Sequence, residues 1–217
     1  MTFKEAIDEY WKYYISLEEQ FVETRRYVEF DYIHNGRVYS IEYLMLFQAV
    51  CSEIDVVGKS LARIVDSSFS PTKNTGINEW WFYLSNDDSL LELKKCSLFG
   101  EYDIQPWKNF GVTINTKPNA KKYILDEKRT PKAKTPSWWT DYNSVKHNRT
   151  GHYQKNLTNY AKANLRNLFY AFAALFILEE KLMNKIKKNS NDRVPTDLES
   201  KLFSNDVSLY TTVLRIG

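Results

Sequence analysis

The sequence predicts an all-α protein: a helical bundle with a long irregular insertion between its second helix and its C-terminal helices. Three observations carry this. Residues 3–27 contain neither Gly nor Pro, a second long helical run follows a capping serine at Ser40, and Leu168 to Leu178 is apolar on every side. With 217 residues, 43% of them hydrophobic and 15% aromatic, the chain is long enough to bury a core as one domain spanning 1–217.

In the first helix, Phe3, Ile7, Tyr10, Tyr14, Leu17, Phe21 and Val22 recur at the spacing of one amphipathic face. The segment IHNGRVYS then supplies an Asn-Gly turn and, at Ser40, an N-cap with Glu42 in the first turn, opening a second helix to about Val65. Residues 67–136 hold five of the six prolines and read as an irregular insertion containing one short helix, NEWWFYL, from Asn78 to Leu84. The third helical region starts with Ser137 as N-cap before Trp138, bends at Gly151 and continues from about Leu157 to Lys188. Only the centre of a bundle accommodates its all-round apolar stretch. Residues 194–217 form a C-terminal extension whose one β-prone piece, VSLYTTVLRI, either docks as a strand or stays extended.

Composition excludes several classes. Cys51 and Cys96 are the two cysteines, with no CxxC and no His/Cys cluster at ligand spacing, so no disulfide framework, metal or cofactor is expected, and the compartment reads as reducing and cytoplasmic. The start, MTFKEAIDEYWKYY, is too charged for a secretory signal, and the longest apolar run is too short to span a bilayer. No Walker loop, GxGxxG, GxSxG or HExxH occurs. Net charge is +3 but uneven: Lys117 to Lys155 carries ten Lys/Arg against three acids, whereas residues 1–66 carry twelve acids against seven Lys/Arg. Such a basic stretch suits phosphate, and it equally suits a solvated loop or attraction between two parts of one fold.

The densest chemistry lies in PSWWTDYNSVKHNRTGH, Pro136 to His152. At about 100° per residue, Trp138, Tyr142, Val145 and Arg149 share one core-directed stripe, while Asn143, Lys146 and His147 point to a second face. In the second helix Glu53 borders the stripe of Leu46, Val50, Val57 and Leu61, and Asp55 and Lys59 lie opposite as an i,i+4 pair. A buried acid and a buried guanidinium each need a partner, so the sequence predicts a structural polar pair, Glu53 with Arg149. Trp138 and Trp139 read first as core and cleft packing, with a stacking platform for a nucleic-acid base as the alternative.

The second helix, WWTDYNSVKHNR and the helix AKANLRNLFYAFAALFILEEKL together resemble uncharacterised bacterial proteins of the HEPN superfamily, all-α domains that include metal-independent ribonucleases of toxin, CRISPR and phage-defence systems. Other members are non-catalytic binding or dimerisation modules. The family's ribonuclease motif is an Arg, a polar neighbour, a few residues and a His. Its closest match here is KHNRTGH, with Lys146 in the Arg position, His147 as neighbour and His152 as the later His. Lysine lacks the planar fork that Arg offers a phosphate. The resemblance implies RNA as partner, homodimerisation, His147 and His152 as acid and base, Lys146 as a phosphate contact, and Asn143, Arg149 and Trp139 as substrate contacts. The alternative is a non-catalytic helical module that binds a protein or nucleic acid, its motif serving as an internal polar clamp.

Overall fold

The computed structural model describes residues 1–188 and 192–205. The first helix runs as α1 (Phe3–Ala6), a π turn (Ile7–Trp11) and α2 (Lys12–Glu23), opened by a capping box between Thr2 and Glu5. The second, α3 (Ile41–Val65), starts at Ser40, whose hydroxyl accepts from the Tyr43 N–H at 3.1 Å. Then come α4 (Ile77–Asp87), α5 (Ser137–Asn148) and α6 (Leu165–Ile186). Helix α6 is the core helix, with every residue from Leu168 to Leu178 buried except the half-buried Tyr170. It lies chiefly along α3; α2 packs on both, and α4 and α5 pack against α3.

The all-α expectation is overturned. Among the described residues, seven short strands form three antiparallel sheets. Strands β1 (Cys96–Leu98), β2 (Tyr102–Ile104) and β7 (Phe203–Asn205) are ordered β2-β1-β7; β3 (Val112–Ile114) pairs β4 (Tyr123–Leu125), and β5 (His152–Gln154) pairs β6 (Leu157–Thr158). Strands of two or three residues are too short to display a two-residue alternation, which hid them in the sequence. The β1–β2 turn places Phe99 and Gly100 at φ +53° and +73°, with the Glu101 N–H bonded to Leu98 O. Two successive positive φ values make the hairpin turn whose usual signature is Asn-Gly, and Phe-Gly does not display it.

The segment read as irregular therefore carries α4 and four strands, and it fills the core. Trp80, Trp81, Trp107 and Phe110 are fully buried, and Trp107 meets Trp138 of α5 edge-on at 5.3 Å. The indoles of Trp81 and Trp138 donate to Phe110 O and Pro106 O, which ties the loop carbonyls to helices.

Two further corrections concern α5. Ser137 is its first residue, and Pro136, which makes no side-chain cap, occupies the capping position. The helix also does not continue beyond a bend. It ends at Asn148, the chain turns through Arg149–Gly151, and β5 and β6 form a hairpin before Asn164 caps α6 by accepting from the Asn167 N–H at 3.0 Å. At Gly151 an added Cβ would press on the exposed side-chain amide of Asn148, which would have to turn aside for any larger residue. The piece VSLYTTVLRI lies outside the described residues.

Candidate nucleic-acid interface

The end of α5 is built from the inside outwards. Trp138, Trp139, Tyr142 and Val145 are buried, with Tyr142 edge-on to Phe47 of α3 at 6.0 Å. Trp139 is only 6% exposed and packs on Trp138 and Tyr142, so its ring belongs to the core and cannot stack on a base. The opposite face carries an internal brace: Lys162 pairs with Asp141 at 3.1 Å and donates to Ser144, while the Asn167 amide donates to Asp141 at 3.0 Å. This fixes α5 against the start of α6.

Beyond Val145 the chain turns outwards. Lys146, His147 and Arg149 are exposed, as are His152 and Lys155 on the hairpin; Asn143, one turn before His147, is half-buried. The hairpin is held by its own backbone: Asn159 N–H to Gly151 O, Tyr160 N–H to Arg149 O, and the Asn159 amide to Asn148 O. Among the described residues none of Lys146, His147, Arg149, His152 and Lys155 enters an ion pair, although Lys146 lies 5.5 Å from the centre of the Tyr142 ring. The structure thus brings the predicted Lys146, His147, Arg149 and His152 to one exposed end, on two elements joined by a three-residue turn.

The Glu53–Arg149 pair does not form. Helix α5 runs antiparallel to α3, with Tyr142 level with Phe47, and Arg149 acts electrostatically on Tyr160 alongside Glu42 at the start of α3. Glu53 is eleven residues further along, about 16 Å at 1.5 Å per residue. Its neighbour is instead Glu179 of α6. Burial alone pushes the Glu53 carboxyl up to about 7. The polar clamp of the sequence reading is therefore absent in that form.

Sequence reasoning missed the rings beside these cations. Tyr39 is 42% exposed and meets Tyr160 edge-on at 5.3 Å, and Tyr153 on β5 is 41% exposed with the Lys162 ammonium 5.1 Å from its centre. Tyr39 reaches the site because its strand-like bridge to Asn164, with Leu165 N–H to Val38 O, lays the pre-α3 loop against the start of α6. No local signal links residues 39 and 153, but the Tyr-x-Lys of the hairpin stood within the basic stretch. A separate open cleft of about 840 Å³, lined by Thr113, Ile124, Leu125 and the 126–129 segment, lies on the β3–β4 hairpin.

Among the described residues no three His, Cys, Asp or Glu side chains group to hold a metal, and no helix is long and apolar enough to cross a membrane. Comparisons with protein-family models, curated proteins and solved structures return no match for this chain.

Proposed function

We propose that the protein binds single-stranded RNA on the face made by the end of α5, the β5–β6 hairpin and Tyr39. The observation that carries this reading is the set of exposed cations that enter no ion pair among the described residues, Lys146, Arg149 and Lys155, beside the exposed rings of Tyr39 and Tyr153. Cations without acid partners are available to phosphate oxygens, and open rings offer stacking to any base. His147 and His152 are exposed at the same end of the protein, and an imidazole ring offers one nitrogen that accepts a proton and one that donates it. In the catalytic form of the reading, one imidazole takes the proton of a ribose 2′-OH and the other protonates the departing 5′-oxygen, while the cations stabilise charge on the phosphate.

Polarisation of a labelled single-stranded RNA should show binding at low salt that weakens steeply as salt rises. Replacing Lys146, Arg149 and Lys155 together by Gln should flatten the salt slope by about 2, three phosphate contacts at about 0.7 each on a single strand. Tyr153→Ala should cost about 1–3 kcal/mol of binding. Incubation in chelator should yield 2′,3′-cyclic phosphate ends, with His147→Ala and His152→Ala slower by about 100-fold or more. Binding without cleavage leaves the non-catalytic module, and no binding at low salt removes the reading.

A further inference from the structure

The start of α6 carries an arginine that the face of α5 and the hairpin leaves unused. Arg166 lies in the first turn of the helix, is exposed, and enters no ion pair among the described residues. Its place is nevertheless fixed. The backbone N–H of Arg166 donates to Gly36 O at 3.0 Å, and its side chain crosses Gly36 so closely that a Cβ there would stand 3.0 Å from Nε. Its guanidinium carbon lies 5.3 Å from the centre of the Tyr32 ring. Tyr32 is anchored in turn: its O–H donates to the Tyr170 hydroxyl at 3.0 Å, and its ring meets those of Tyr102 and Phe169.

This supported guanidinium adjoins the proposed RNA face. Tyr39 bridges to Asn164, two residues before Arg166, and only the exposed Arg37 and the half-buried Val38 separate Tyr39 from Gly36, at most about 11 Å of extended chain. We infer that Arg166 reads a guanine base beside the nucleotide that stacks on Tyr39, so that the site prefers single strands containing guanine; the inference rests on the RNA reading above. A guanidinium presents several N–H donors in one plane and no acceptor. Guanine answers with two neighbouring acceptors, N7 and O6, whereas adenine sets an amino donor beside its N7. Uracil flanks each carbonyl with an N–H. The fork therefore finds two acceptors on guanine and meets a donor on adenine. Single-stranded RNA leaves that edge of the base open, while the deep, narrow groove of an RNA duplex hides it. Charge alone would serve a phosphate equally well from a lysine. What the contacts with Gly36 and Tyr32 add is orientation of the fork, which planar recognition of a base requires.

The test compares labelled RNAs of one length, uridine runs that carry at their centre U, A, C, G or 7-deazaguanine, in which a C–H replaces N7. At low salt the wild-type protein should bind the G strand about tenfold more tightly than the A and U strands, the size of one bidentate base contact. Replacement by 7-deazaguanine should forfeit that margin. Arg166→Lys keeps the charge and removes the fork, so it should bind the strands alike; circular dichroism checks that it is folded, and the 7-deazaguanine strand tests the wild-type protein if it is not. Equal affinity for the G and A strands overturns the inference and leaves the RNA reading standing. So does a C strand bound as tightly as G, or a margin for G that persists with 7-deazaguanine or in Arg166→Lys. If no strand binds the wild-type protein at low salt, the RNA reading and this inference fall together.

Discussion

Glu179 has no exposed surface, and neither of its carboxyl oxygens has a hydrogen-bond partner among the described residues. Lys181, two residues on, is buried as well, yet it is paired with Asp87 at 3.0 Å and Asp88 at 3.2 Å. The difference is what lies across the interface: α4 brings acids to Lys181, whereas α3 brings a second acid, Glu53, to Glu179. Burial first, and the charge of Glu53 second, hold the Glu179 carboxyl well above the usual value of 4.5. Both groups therefore keep their protons in the folded state at pH values where the unfolded chain has lost them. Since the folded state then binds more protons, stability falls as pH rises above about 4.5 and continues to fall through about 7, the Glu53 value. Thermal melts from about pH 5 to about pH 8 should show a falling melting temperature. Glu179→Leu should flatten that slope and stabilise the protein by about 1–3 kcal/mol at the alkaline end, where an apolar side chain of similar size removes a buried charge. A melting temperature that rises toward alkaline pH would contradict this account.

At the scale of elements, the contact between α3 and α4 turns on one missing side chain. A Cβ at Gly58 would stand 2.7 Å from the Trp80 ring, which is itself fully buried. Alanine is worth about 1 kcal/mol over glycine inside a helix, but forcing a methyl into a packed indole costs about 1–3 kcal/mol. Gly58→Ala should therefore destabilise despite its better helix propensity, a sign readable in a denaturant titration. Ser40→Ala should cost about 1 kcal/mol through loss of the cap on Tyr43 N–H. The start of α3 was legible because a cap acts within three residues of itself. The end of α5 was not, because the turn at Arg149–Gly151 depends on a hairpin whose strands have two or three residues.

For the whole molecule, the C-terminal segment closes the fold on its first helix. Glu18 is fully buried and accepts from Tyr14 O–H, Ser200 O–H and Lys201 N–H, while the Trp11 indole donates to Leu198 O at 2.8 Å. Strand β7 then pairs with β1, and Phe203 packs 5.6 Å from Phe176 of the core helix. Glu18→Ala removes one acceptor from three donors and should cost about 2 kcal/mol or more. Cleavage within residues 195–205 by a nonspecific protease should accelerate in the variant and stay slow in the wild type; equal rates would show that the strand pairing alone holds the segment.

The sequence by itself determined the long helices and the place of α6 at the centre. Helical hydrogen bonds join residues four apart, and an apolar circumference has only one tolerable environment. It also marked Glu53 as an acid on a buried stripe and assembled Lys146, His147, Arg149 and His152 within seven residues. Only the tertiary structure decided that Glu53 faces Glu179 and not Arg149, that Trp139 is core, that Tyr39 joins the basic face, and that three small sheets tie the helices together. Each of those outcomes depends on contacts between residues far apart in the chain, where no local period carries information about which partner will be met.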